Sequence, residues 1–351
     1  MLSTLPKLAD RAFVVGFLLP SLLFTVGLLV LFSQMEQVLA LLKPTKEENS
    51  TTALVLLAVA VWLLAVLMQV LNHWLYRSLE GYLPPLSWRR RASMRYSIKT
   101  ARMRKEALAL GREWAAKGDR FPRQSRQRYR ALLLRLAGRP PRRHALPTAF
   151  GNAIKTFETY PEETYGADGV RLWPHVAAVA PKPLVEATTE TRAQVDFMVN
   201  MTFFSLLVAI CGAAKTVCEV PWSDAMAAIR AHEIARALSF LPRDDVVWCL
   251  GTVAAGWCFY KLAVALIPAW GQAVKACFDV GLPALATQLG FTLPKTEAER
   301  RRFWQSFSQA LIYRTNPDFT PMFSPEDWLP KQPDGLLRRL LRLFLPAAGR
   351  D

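Results

Sequence analysis

Four long apolar runs constrain this chain more strongly than any other feature of its sequence. They are Ala12–Ser33, Ala53–Tyr76, Phe197–Val217 and Val246–Trp270. Each reaches the ~20 residues that an α-helix needs to cross the hydrocarbon core of a bilayer. Because backbone groups in lipid must be hydrogen-bonded within the chain, runs of this kind fold as helices. The sequence therefore predicts an all-α membrane protein with four transmembrane helices.

The apolar runs divide the chain into four predicted parts. Residues 1–76 hold transmembrane helices 1 and 2, and residues 77–195 form a basic, mostly helical cytoplasmic domain. Residues 196–270 hold helices 3 and 4 with an extracytoplasmic loop at 218–245, and residues 271–351 form a helical cytoplasmic tail. The first run is expected to be a retained span, because it is longer than the apolar core of a signal peptide.

Charge predicts the sidedness of these parts. The chain has 44 basic and 28 acidic side chains, a net charge of +16, although 52% of its residues are hydrophobic. That combination is unusual for a soluble enzyme and fits apolar spans that alternate with basic segments. Residues 77–195 carry about 24 Lys and Arg against about 10 Asp and Glu. Since basic segments near span ends stay inside, both termini are predicted to be cytoplasmic.

A basic arm follows the second run. On a helix, one stripe would contain Arg91, Arg95, Lys99, Arg102 and Lys105. The stripe is interpreted either as an anchor on anionic lipid or as a site for phosphate groups. A second basic run covers residues 120–143, and arginine binds phosphate through its bidentate fork. The residues predicted there to contact an anionic ligand are Arg126, Arg130, Arg142 and Arg143.

Residues 146–183 are the least generic part of the chain. Their pattern is Leu146-Pro147-Thr148, Gly151-Asn152, Glu158, Tyr160-Pro161, Tyr165-Gly166, Asp168 and Trp173-Pro174. Over about thirty residues it resembles an uncharacterised group of bacterial multi-span inner-membrane proteins. The resemblance implies a location in the bacterial inner membrane and no particular activity. One interpretation is a compact turn whose acids pair with nearby arginines. The other is a ligand pocket in which Tyr160, Tyr165 or Trp173 stacks on a flat group and Arg171 holds a phosphate.

Polar and small side chains mark the spans themselves. Gln69, Asn72, His73 and Tyr76 share one face at the cytoplasmic end of the second run. Polar groups there need protein, water or the headgroup region as partners, so a water-filled vestibule is one interpretation. Rows of small residues in the third and fourth runs favour close helix packing, either within the chain or between subunits. The residues predicted to line a pore are Gln69, Asn72, Thr202, Ser205 and Lys261.

The tail contains two further helix signals. Thr296 and Glu299 form a capping box that should open a helix with Phe303, Trp304, Phe307 and Leu311 on its packed face. Residues 335–345 place leucines on one side and arginines on the other, which is typical of a helix lying in the membrane interface.

No catalytic motif is present in the sequence. It contains no P-loop, HExxH or GxSxG pattern, and the four histidines are scattered. Glu158 and Glu162 are four residues apart, but Pro161 between them argues against one helix that would pair them. The prediction is therefore a protein with no catalytic residue, no metal site and no cofactor.

The hypothesis that follows is an oligomeric membrane channel or pore-type effector. An anionic nucleotide or oligonucleotide would bind the basic domain and gate the spans, and a symmetric ring of subunits would form the pore. The layout is similar to that of membrane effectors in bacterial antiviral defence, an analogy of architecture alone. Two alternatives stay open: a membrane scaffold that binds anionic lipid and recruits a partner protein, and a lipid-acting membrane enzyme.

Overall fold

The computed structural model describes residues 10–32, 48–83, 86–230 and 242–313, and these residues contain helices and no strand. The helices are α1 Arg11–Leu31, α2 Glu48–Glu80, α3 Leu86–Lys117, α4 Arg123–Ala137, α5 Ala149–Glu158, α6 Tyr160–Tyr165, α7 Gly169–Val179, α8 Lys182–Glu219, α9 Trp222–Arg230, α10 Arg243–Gln288 and α11 Glu297–Tyr313. The predicted all-α fold class is confirmed.

Four of these helices, α1, α2, α8 and α10, are long and apolar enough to span a membrane, as predicted. Two of them extend well beyond their apolar runs. The helix of the third run begins at Lys182 rather than near Phe197, and that of the fourth continues past Trp270 to Gln288. Hydrophobicity marks where lipid surrounds a helix, whereas intrahelical hydrogen bonds can continue into water.

The chain divides into two compact units. Among the described residues, the first unit contains the chain up to Glu158 together with Pro183–Val274. The second unit contains Thr159–Lys182 and the chain from Lys275 onward. The first unit therefore holds α1 to α5, nearly all of α8, and α9, and the second holds α6, α7 and α11.

The core of the first unit lies between α1, α2 and α8. The rings of Phe24 and Phe204 stack with centroids 4.4 Å apart, and Ala65 and Met68 of α2 belong to the same buried cluster. Gly212 of α8 allows a close approach, because an added Cβ would lie 2.7 Å from Cys249 Sγ of α10. The small-residue face of α8 is thus used for packing within the chain.

Contacts at the two ends show that the four long helices alternate in direction. At one end Arg11 of α1 pairs with Glu190 of α8 at 3.0 Å. At the other end Lys215 of α8 pairs with Asp245 of α10 at 3.1 Å. Near the end of α2, Asn72 donates to Asp196 of α8 at 3.1 Å. The start of α1 and the start of the apolar part of α8 therefore lie on the same side as the ends of the apolar parts of α2 and α10.

Helices α3 and α4 pack together as a hairpin within the first unit. Trp114 stacks on Phe121 at 6.0 Å and meets Tyr129 edge-on at 5.6 Å, so aromatic rings fill the closed end. Arg139 donates to Thr100 Oγ1 at 2.8 Å and ties the end of α4 to the middle of α3. The opposite faces of both helices carry the exposed basic side chains.

The second unit is organised by caps on its helices. Asp168 caps α7 and accepts hydrogen bonds from the backbone N–H groups of Val170 and Arg171, both at 3.1 Å. The predicted cap on α11 is present, since Thr296 Oγ1 accepts the Glu299 N–H at 3.3 Å. Phe303 and Trp304 are buried as expected, whereas Leu311 is exposed. The predicted interfacial helix at 335–345 lies outside the described residues.

Candidate functional site

A polar cavity of about 960 Å³ lies where the ends of the four spans meet in the first unit. Each span contributes to its wall: Asp10 and Phe13 at the start of α1, Asn72 to Glu80 on α2, Thr189 to Asp196 on α8, and Trp270 on α10. Acidic side chains predominate among its charged groups. The acids are Asp10, Glu80, Glu158 and Asp196, and the bases are Arg77 and Arg192.

Asp196 is the most buried charged side chain of the cavity, with 5% of its surface exposed. Its Oδ1 accepts hydrogen bonds from Asn72 Nδ2 at 3.1 Å and from Tyr76 Oη at 2.7 Å. Arg192, one turn earlier on α8, places its Nε 3.7 Å from Asp196 Oδ2. A buried carboxylate is stable only with partners of this kind, so α2 and α8 are locked together by this site.

Local features of α1 allow this arrangement. Pro20 has no N–H to donate to the carbonyl of Gly16, four residues earlier. Asn200 of α8 donates its Nδ2 to that carbonyl at 2.7 Å instead. Gly16 itself provides the space, because an added Cβ would lie 3.2 Å from Asp196 Cβ. The segment Val14–Leu18 is wound as a π-helix just before Pro20, a form that often occurs at functional sites.

Aromatic rings form one wall of the cavity. Trp270 meets Tyr76 edge-on at 6.4 Å and Phe157 at 4.8 Å. The Arg192 guanidinium lies 5.9 Å from the Trp270 ring centroid, a cation–π contact. These contacts hold Arg192 between the Trp270 ring and Asp196.

The cavity is lined by more acidic than basic side chains. Its four acids and two arginines give a formal charge of −2. Lys155 pairs with Glu158 at 2.6 Å. Burial lowers the pKa of Lys155, but the hydrogen bond and charge of Glu158 outweigh it, and the pKa is raised. The Oδ1 atom of Asn72 is buried without a hydrogen-bond partner. Such a lining suits a positively charged ligand or a hydrogen-bond donor.

Two of the five residues predicted to line a pore belong to this cavity, Gln69 and Asn72. Thr202 and Ser205 lie elsewhere, buried in the packing of α8. Thr202 Oγ1 donates to the Met198 carbonyl at 2.8 Å, and an added Cβ on Gly256 of α10 would lie 3.3 Å from Ser205 Cβ. Lys261 is exposed, with its Nζ 5.2 Å from the Trp257 ring centroid.

Four of the predicted ligand contacts belong to the first unit. Arg126 lies over the Trp114 ring at 5.4 Å and donates to the Phe121 carbonyl at 3.3 Å, so it holds the end of the hairpin. The other three are exposed. They are Arg130 on α4 and Arg142 and Arg143 in the 3₁₀ turn that follows it.

The remaining three predicted ligand contacts have structural partners in the second unit. Tyr160 and Tyr165 both donate to Asp279 Oδ1 at 2.8 Å, and burial together with these bonds raises the pKa of each phenol. Arg171 pairs with Asp168. Trp173 lies beside Phe278, with centroids 6.0 Å apart. Their role in ligand binding stays a prediction.

Sequence reasoning missed the centre of the cavity, Asp196. A signal was present, since Asp196 and Asn200 stand four residues apart at the start of an otherwise apolar run. Their partners on α2 and α1 lie 124 and 184 residues away in the chain. The polar face of α2 was recognised, but the Asp196 carboxylate to which Asn72 and Tyr76 donate hydrogen bonds was not.

Comparison with known proteins found no match among protein-family models, curated proteins or solved structures. The cavity and the charge distribution are therefore the observations from which a function can be argued.

Proposed function

We propose that the protein is an oligomeric membrane channel or pore-type effector, and that the cavity is the vestibule through which cations enter. The observation that carries this proposal is the buried Asp196 carboxylate in the wall of an acid-lined cavity at the span ends. Ionisable residues within membrane spans are costly, and they commonly mark an ion pathway. A cleft lined mainly by one sign of charge concentrates counter-ions.

The proposed controlling ligand is an anionic nucleotide or oligonucleotide bound to the α3–α4 hairpin. Residues 86–143 contain 19 basic and 3 acidic side chains, so this segment accounts for the whole net charge of +16. Arg130, Arg142 and Arg143 are exposed there. The short link between α2 and α3 gives a route for gating, because α2 carries the two donors to Asp196.

We place the hairpin and the cavity on the cytoplasmic side of a bacterial inner membrane, with both termini inside. The basic hairpin supports this orientation, since Lys- and Arg-rich segments beside spans remain in the cytoplasm. Homo-oligomerisation is supported by the small-residue face of α10, where Gly251, Cys258 and Ala265 remain exposed. In lipid such faces pack closely against another helix.

Cation flux into vesicles tests the vestibule. The purified protein is reconstituted, and flux is measured with and without nucleotides or short oligonucleotides. Asp196→Asn should lower cation flux several-fold, because it removes a negative charge from the cavity wall. Glu113→Gln is the matched control, since Glu113 lies on the exposed hairpin, and its flux should equal that of the wild type. A protein that never conducts, whatever ligand is added, would falsify the proposal.

A membrane scaffold is the second candidate. It is favoured by the structural roles of four predicted ligand contacts, Arg126, Tyr160, Arg171 and Trp173, each of which has a partner within its own unit. A scaffold predicts a stoichiometric partner protein on purification from its native membrane and no ring of subunits in detergent. A conducting ring would exclude it.

A further inference from the structure

The outward face of α3 carries basic and apolar side chains together. Its surface, called here the α3 face, consists of Trp88, Arg91, Met94, Arg95, Ile98, Arg102 and Lys105. At 100° per residue these positions share one side of the helix. The opposite side, with Ser97, Thr100 and Ala107, is buried. The α3 face is therefore the one left without a protein neighbour in the hairpin.

The apolar members of this face are strongly exposed. Trp88 is 52% exposed, Met94 60% and Ile98 41%. The first part of α3, residues 86–105, has eight basic side chains and no acidic one. A face that combines arginine, lysine and tryptophan with exposed aliphatic groups has the composition of helices that lie in a membrane interface.

The α3 face also begins close to the bilayer. Only residues 81–85 separate the end of α2 from the start of α3. A link of this length limits the distance between the two helix ends to about 20 Å. Within this link Tyr82 is held between two arginines, with Arg77 5.0 Å and Arg89 5.1 Å from its ring centroid. The entry to α3 is thus fixed next to the membrane.

We propose that the α3 face docks on the anionic surface of the membrane that the spans cross. Its basic side chains would contact phosphate headgroups, while Trp88, Met94 and Ile98 enter the boundary with the acyl chains. A nucleic acid would also satisfy the arginines, but its bases stack mainly on aromatic rings and its backbone is charged, so it matches the aliphatic Met94 and Ile98 less well than acyl chains do. This docking is independent of the proposed conduction, and it leaves the outer face of α4 free for a soluble anionic ligand.

Position-specific fluorescence in reconstituted vesicles tests this docking. The full chain carries Ile98→Cys, labelled with an environment-sensitive dye, in a background where the exposed Cys218 and Cys258 are serine. In vesicles that contain phosphatidylglycerol, the dye should shift to the blue and be quenched several-fold more by headgroup-nitroxide lipids than in phosphatidylcholine alone. High salt should reverse most of the difference, because exposed charges are screened.

The matched control is Leu134→Cys on α4, which is 76% exposed on the face that points away from α3. Its dye should stay in water, without a blue shift, both in vesicles that contain phosphatidylglycerol and in vesicles of phosphatidylcholine alone. Replacing Arg91, Arg95 and Arg102 by glutamine should abolish the lipid dependence at position 98, whereas replacing Arg123, Arg130 and Arg135 should preserve it. Equal quenching in neutral and anionic vesicles would overturn the proposal, as would protection of position 98 by single-stranded nucleic acid and not by lipid.

Discussion

At the scale of single residues, the Asp196 carboxylate depends on donors from a different helix. Replacing Tyr76 by phenylalanine keeps the ring against Trp270 and removes the hydrogen bond of 2.7 Å. We expect a loss of about 1.5–3 kcal/mol in the free energy of unfolding, because the acceptor is charged and buried. Chemical unfolding in detergent measures it. Tyr82→Phe, on the same cavity wall, is the control, and equal losses in both variants would contradict this role for Tyr76.

Gly166 is required by its backbone geometry. It ends α6 with φ of +77°, and an added Cβ would lie 2.5 Å from the Arg301 carbonyl oxygen. Gly166→Ala should therefore cost about 1–2 kcal/mol for the left-handed conformation and about 1–3 kcal/mol more for the overlap.

Gly118→Ala separates these two costs. Gly118 also has a positive φ, +52°, but an added Cβ there would meet nothing within 4 Å. Only the conformational cost should appear in its unfolding transition. If the two alanine variants unfold at the same denaturant concentration, the close approach of Arg301 has no energetic role.

At the scale of elements, α1 and α8 are joined by a hydrogen bond that Pro20 makes necessary. Asn200→Leu should destabilise the protein by about 1–3 kcal/mol, since it leaves the Gly16 carbonyl buried without its donor. In a Pro20→Ala background the alanine N–H can donate to that carbonyl, so the same substitution should cost less. A double-mutant cycle measures the difference. Equal costs in both backgrounds would show that Pro20 and Asn200 are not coupled.

The elements themselves were predicted better than their ends. The four spans and the cap at Thr296 follow from local sequence, and both are present. The ends of α8 and α10 were not predicted, because hydrophobicity reports the surroundings of a helix and not its length. Pro161 argued against one helix that would pair Glu158 with Glu162, and this is confirmed, since α5 ends at Glu158 and α6 starts at Tyr160.

At the scale of the whole molecule, the net charge predicts sidedness that labelling can check. A membrane-impermeant maleimide added to intact cells should react with Cys218, near the end of α8 that lies away from the cavity. It should not react with Gln127→Cys on the hairpin, in a background where Cys218 and Cys258 are serine. Inverted vesicles should give the reverse result. Reaction at position 127 from outside would place the basic hairpin outside the cell. The hairpin and its proposed cytoplasmic ligand would then lie on opposite sides of the membrane.

The sequence by itself determined the four helices that are long and apolar enough to span a membrane in the described residues, the helical fold class and the location of the net positive charge. These are properties of local composition, and transfer from water to lipid depends on little else. Only the tertiary structure decided that α2 and α8 meet at Asp196, and that the predicted pore residues separate into cavity and helix packing. Such pairings depend on which helix ends face each other, and residues more than a hundred positions apart leave no local pattern that predicts them.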